Sequence, residues 1–180
     1  MIITISGQPG TGKSTVAKKL AVKLSFERKS SGDFQRQLAN EKGISIKELA
    51  DLESKDPALD KMVDERQKKF GEQYDNFVMD TWLGAKFIPH SVKIYLYADE
   101  DTRAKRIFHD KENKIRLDSE KLSNFEETKQ NMVSRDNNNI ERWKRYYDFD
   151  YTEKSHYDLT IDTNNIDSNE VIRKILDFIK

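Results

Sequence analysis

The chain has 180 residues, a length that suits one α/β domain with a five-stranded sheet covered by helices. Charged residues make up 36%, yet 32 basic side chains balance 32 acidic ones, which argues against a general nucleic-acid binder with its basic excess. There is no Cys for a disulfide, a thiol nucleophile or a zinc site, no apolar run long enough to span a membrane, and no signal peptide before the first strand. The expectation is a soluble cytoplasmic protein, a monomer as far as anything demands, that binds small molecules rather than nucleic acid or membrane.

The first stretch, IITISGQPGTGKST over Ile2 to Thr15, reads as a buried strand, a tight Gly/Pro loop and the opening of a helix. Gly7, Gly12, Lys13 and Ser14 fill every fixed position of the phosphate-loop pattern G-x-x-x-x-G-K-[ST]. Glycines let backbone N–H groups turn inward around an anion, and the helix behind adds its N-terminal dipole. The expected cradle for ATP phosphates is therefore Gly7, Gln8, Pro9, Gly10, Thr11, Gly12, Lys13, Ser14 and Thr15. Lys13 can reach the β and γ phosphates as a mobile point charge, and the Ser14 hydroxyl can complete the shell of a Mg²⁺ ion.

Val16 to Leu24 puts Val16, Leu20 and Leu24 on one helix face and lysines on the other. A weak strand over Phe26 to Ser30 follows, then a turn at Ser31-Gly32, with Asp33 placed to cap a helix carrying Phe34, Leu38 and Ala39. From Ser45 the pattern predicts two short helices broken at Asp56-Pro57, poor in large apolar residues and so an excursion from the core. Asn76 to Asp80 and Val92 to Tyr97 read as strands. Residues 99–147 read as mostly charged helix with a loop around 111–118, Tyr157 to Asp162 as the last strand, and Val171 to Ile179 as a closing helix. Strands alternating with helices predict a parallel, doubly wound sheet, with ligands at the carboxyl ends of the strands.

Asp80 closes its strand beside the loop, where a carboxylate can act on the water shell of Mg²⁺. The next residue is Thr81 rather than the water-polarising glutamate of motor ATPases, and the guanine-reading N-K-x-D pattern is absent. The remaining candidates are enzymes whose acceptor is a bound small molecule. His90, His109 and His156 lack metal-ligand spacing and read as surface or structural residues. The cluster of Tyr146, Tyr147, Phe149 and Tyr151 reads as packing of the long helix on the domain.

SGDFQR, Ser31 to Arg36, resembles the S-G-D-x-x-R segment of nucleoside monophosphate kinases. The wider layout, through MVDERQKKF, FVMD, RAKRI, RWKRYYDFD and YDLTIDT, is similar to the cytidylate kinase family and its short archaeal-type branch. That resemblance implies a P-loop kinase with an acceptor-binding excursion over about 33–72 and a lid over about 110–147. It implies that Arg36 binds the acceptor phosphate, that Ser31 and Asp33 line the acceptor pocket, and that Asp33 holds Mg²⁺-bound water. Arg66 would face the acceptor, Arg106 would pack on adenine, and Arg135 and Arg142 would close over the transferring phosphate. The last two stand seven residues apart, on one helix face.

The chain departs from the family at two places. Trp82 stands where related sequences have an arginine, so the acceptor phosphate loses a guanidinium unless Lys86 or another arginine replaces it. Asn139 stands where the lid offers an aspartate to the acceptor nucleoside. The implied reaction is ATP- and Mg²⁺-dependent phosphorylation of CMP or dCMP. Two other readings stay open: a kinase for AMP, UMP or a small alcohol, and a nucleotide-binding module without transfer activity.

Overall fold

The central strand, β1 (Ile2–Gly7), is buried at all six positions because it has neighbours on both edges and helices on both faces. In a computed structural model it lies inside a five-stranded parallel sheet of order β2-β3-β1-β4-β5, with β2 at Glu27–Ser30, β3 at Phe77–Asp80, β4 at Val92–Tyr97 and β5 at Leu159–Asp162. The structure describes residues 1–53, 56–110 and 124–180. Register pairs Ile5 with Asp80 and Ser30 with Asp80, which gathers the polar strand ends at one edge.

Alternation along β1 divides the core. Ile3 and Ile5 face α1 (Lys13–Leu24) and the last helix, α8 (Ser168–Phe178), meeting Val16, Leu20, Ile172 and Ile175. Ile2 turns to the opposite face and joins Phe77, Met79 and Ile88. There the helices of the excursion, α2 (Ser31–Lys42), α3 (Ile46–Glu53) and α4 (Pro57–Gln73), bring Phe34, Leu38, Leu49 and Val63. The excursion's helices stand outside the sheet, and their few apolar residues are spaced to cover this face. A short α5 (Gly84–Phe87), absent from the expectation, follows β3.

Helix starts also differ from expectation. Asp33 does not cap α2: Ser30 does, and Ser31 and Gly32 belong to the first helical turn. The reason is a reciprocal capping box, in which the Ser30 hydroxyl accepts from the Asp33 N–H while Asp33 Oδ2 accepts from the Ser30 N–H at 2.7 Å. The break at Asp56-Pro57 holds, with Asp56 capping α4 through the Ala58 N–H at 2.9 Å, but α4 is long, at 17 residues. Strand β5 begins at Leu159, since Tyr157 ends a 3-10 turn at Lys154–His156. Helix α8 starts at Ser168 because Asp167 accepts from the N–H groups of Asn169 and Glu170.

After β4 come α6 (Glu100–His109) and the 23-residue α7 (Phe125–Tyr147). The loop expected around 111–118 lies outside the described residues. One face of α7 buries Thr128, Met132, Asp136 and Trp143. Met132 packs on Ala104 and Ile107 of α6, while Trp143 joins Leu83, Tyr95, Phe149 and Tyr151. Phe149 and Tyr151 therefore serve packing. Among the described residues no helix is long and apolar enough to cross a membrane.

Candidate active site

Strand β1 ends in a loop whose backbone demands glycine. Gly7 has φ +147°, and a Cβ there would lie 2.2 Å from the Leu96 carbonyl oxygen. Gly10 has φ +81° and lies so close to α6 that a Cβ would meet the Arg103 carbonyl oxygen at 2.5 Å. Helix α1 then begins with no side-chain cap and no acidic residue in its first turn. Its N-terminal N–H groups remain available to an anion, with Ser14 and Thr15 exposed beside them. The Gln8 carbonyl accepts from Thr11 Oγ1 at 2.8 Å and from Lys13 Nζ at 3.0 Å, which folds the loop on itself. Lys13 Nζ also lies 4.6 Å from the centroid of the Trp82 ring.

At the adjoining strand end, buried Asp80 accepts from Arg28 at 2.8 Å, and Arg28 also reaches Asp33 at 3.5 Å. Burial pushes the Asp33 carboxyl up, but hydrogen bonds from Arg36 and Ser30 and the Arg28 charge outweigh it and hold it below the usual range. Arg36 is exposed and pairs with Asp33. Arg66 turns away to a bidentate pair with Glu41, at 2.9 and 2.5 Å. Neither Arg36 nor Arg66 borders the cavity described next. Arg106 donates to Thr163 Oγ1 at 2.9 Å, and that hydroxyl approaches the Thr11 carbonyl at 3.4 Å, so Arg106 flanks the phosphate loop on the β5 side.

Beside the loop is a cavity of about 180 Å³. Of the residues singled out from the sequence, Ser31, Arg135, Asn139 and Arg142 border it together, and Trp82 forms a wall. Trp82 packs on Trp143 and Tyr151 at centroid distances of 5.4 and 5.2 Å, while Lys86 sits over the Phe149 ring instead of in the cavity. The floor holds residues the sequence reading missed: Glu53, Asp60, Asp64 and Gln67. Burial, then the neighbouring Asp60 charge, pushes Glu53 up to about 7 against a hydrogen bond from Gln35 and the charge of Arg142. Burial likewise pushes Asp64 up to about 7, although the Tyr147 hydroxyl donates to it at 2.7 Å. Asp60 is raised by burial and opposed by Arg142, whose Nε lies 3.2 Å away. Asp60, Asp64 and Gln67 recur at i, i+4, i+7 with Val63 between them, a polar stripe on the inward face of α4.

A second missed group ties α7 to the loop. Asp136, 3% exposed, accepts from Gln8 Nε2 at 2.6 Å, from Arg103 at 3.2 Å and from the Tyr151 hydroxyl. Arg103, 5% exposed, also reaches the Pro9 carbonyl at 3.5 Å. Burial and then the Asp136 carboxylate push the Tyr151 hydroxyl far above the usual tyrosine range.

A phosphate loop at the carboxyl edge of a parallel sheet, next to a polar cavity walled by helices, defines a kinase of the P-loop NTPase type. Comparison with known proteins narrows the class. The model of the cytidylate kinase-like family matches residues 2–165. The cytidylate kinase of Methanocella arvoryzae is 37% identical, aligned over 100% of this chain and 99% of its own. That of Archaeoglobus fulgidus is 32% identical over 98% and 93%. The chain belongs to the cytidylate kinase-like family. Among solved structures, an uncharacterized protein from Eubacterium ventriosum superposes with TM-score 0.70 at 19% identity, covering 99% of this chain and 98% of that one. A shikimate kinase from Bacteroides thetaiotaomicron gives TM-score 0.70 at 14% identity with the same coverage. These two likenesses concern the fold alone.

Proposed function

We propose that the protein transfers the γ-phosphoryl group of ATP to CMP or dCMP, releasing ADP and the nucleoside diphosphate. The observation that carries this reading is the cavity opening beside the phosphate loop with Arg135 and Arg142 at its border. A monophosphate placed there would meet guanidinium groups, with Lys13 at the neighbouring loop. An oxygen of the acceptor phosphate bonds to the γ-phosphorus as the bond to the β–γ bridging oxygen breaks, and ADP leaves with that electron pair. The nucleophile is already anionic, so the protein's task is alignment and charge neutralisation. Gly7 to Thr15 would hold the ATP phosphates and Arg106 would pack on the adenine. Ser31 and Asn139 would bind the acceptor from the cavity's border, with Arg36 and Arg66 joining only by leaving Asp33 and Glu41.

The residues present fit a Mg²⁺ ion carried with the nucleotide. Ser14 is exposed at the helix start, Asp80 ends β3, Asp33 lies in the first turn of α2, and the described residues hold no acidic or histidine cage that would bind a metal alone. Ser14 would ligate the ion directly and the two aspartates through water, and the bound ion would neutralise charge on the β and γ phosphates. The excursion at 33–72 and the described part of the arm at 110–147 would close over the substrates and exclude water.

The test is coupled ADP release from ATP and Mg²⁺ with CMP, dCMP, UMP, AMP, GMP and dTMP, beside a control without acceptor. CMP or dCMP should exceed the control, and Lys13→Ala should lower that turnover about 10²–10³-fold. Trp82 in the family's arginine position favours a second reading, a nucleotide-binding module. ATP binding without acceptor-dependent release would refute the monophosphate kinase and leave a different acceptor or the binding module.

A further inference from the structure

The acidic end of the cavity is unsuited to a phosphate. Glu53, Asp60 and Asp64 would repel one, so the acceptor's phosphate belongs toward Arg135 and its other end with the carboxylates and the Arg142 that lies among them. Glu53 is 3% exposed. Gln35 Nε2 donates to its Oε2 at 3.0 Å. Its other oxygen, Oε1, is buried without a hydrogen-bond partner among the described residues. A buried acceptor left in this state calls for a donor from elsewhere.

Arg142 Nε presents the complement. It is buried near Asp60 Oδ2, at 3.2 Å, yet the two are not aligned as a hydrogen bond. An unsatisfied acceptor and an unsatisfied donor therefore border one cavity, beside the aromatic wall of Trp82 and Trp143. No cluster of three or more metal-ligating side chains occurs among the described residues, so a cation is a poor occupant. An amino-substituted heterocycle, with an N–H₂ donor next to a ring acceptor, matches this pair.

We propose that Glu53 is the base-reading residue, its Oε1 accepting a hydrogen bond from the exocyclic amine of a cytosine and thereby selecting CMP over UMP. This rests on the monophosphate-kinase reading above. Cytosine presents its amine where uracil presents a carbonyl oxygen. With uracil, two acceptors face each other without a proton between them, and a buried group remains unpaired.

The experiment measures kcat/KM for CMP and for UMP, with ATP and Mg²⁺, in the native chain, Glu53→Gln and Glu53→Asp, with thermal melts of each. The native chain should prefer CMP. Glu53→Gln should lower the CMP:UMP ratio about 10–100-fold, because a carboxamide can turn its N–H₂ toward the uracil carbonyl. Glu53→Asp keeps the charge but withdraws the acceptor, and should lose preference for CMP through a raised KM. If Glu53→Gln melts below the assay temperature, the ratio in Glu53→Asp decides. An active native chain whose ratio survives both substitutions overturns the assignment of Glu53 alone. A native chain without turnover on any monophosphate overturns the kinase reading, and the base-reading role with it.

Discussion

Removal of the Asp136 carboxylate should be among the most damaging single changes in the chain. Asp136 and Arg103 are 3% and 5% exposed and pair at 3.2 Å, so Asp136→Ala leaves a guanidinium buried without its counter-charge. Breaking a buried pair from one side costs about 3–5 kcal/mol. Gln8 and Tyr151 lose an acceptor at the same time, but these losses share one site and do not simply add. For a chain of this size, about 1 kcal/mol corresponds to roughly 2–4 °C, so the melting temperature should fall by roughly 6–20 °C. Urea and thermal unfolding followed by circular dichroism measure this directly. The double variant Asp136→Leu with Arg103→Met removes both charges and should recover roughly half of the loss or more. Because Gln8 and Pro9 belong to the phosphate loop, the single variant should also raise the KM for ATP. A cost below about 1 kcal/mol, typical of an exposed pair, or a double variant no more stable than the single one, would refute the reasoning.

The Lys13 ammonium lies 4.6 Å from the Trp82 ring, so nucleotide phosphates that draw it away should change Trp82 emission. With Trp143→Phe leaving Trp82 as the single indole, a fluorescence titration with ATP checks this, and constant emission at saturation would contradict it. The raised carboxyls make a prediction about pH. Glu53 goes from the usual 4.5 up to about 7 and Asp64 from 3.8 up to about 7, so between those values the folded chain binds more protons than the unfolded one. Their contribution is fully present below the unfolded values and is lost as pH rises through about 7. Melts from pH 5 to 8 should show native stability falling more steeply than that of Glu53→Gln, and parallel curves would oppose the assignment.

The sequence by itself determined the features that depend on neighbouring residues. The phosphate loop was legible because its glycines, lysine and serine are contiguous, and the observed φ of +147° at Gly7 and +81° at Gly10 is a local demand of backbone sterics. The parallel sheet was legible because apolar runs such as Phe77–Asp80 and Val92–Tyr97 alternate with amphipathic helices. Helix starts were less secure. Ser30 and Asp33 are both good caps by residue type, and only the reciprocal pair of hydrogen bonds decides between them.

Tertiary structure alone decided which charged side chains matter. Glu53, Asp64 and Asp136 look in sequence like members of solvated helix faces, in a chain that is 36% charged. Their burial follows from how α3, α4 and α7 come together around one cavity and one loop, so that Arg142 meets Asp60 and Arg103 meets Asp136. Arg36 and Arg66, which carry the same charge, end in pairs with Asp33 and Glu41 outside that cavity. Charge is a property of a residue, whereas desolvation and pairing belong to the packed neighbourhood. Long-range assembly sets that neighbourhood, and local pattern does not.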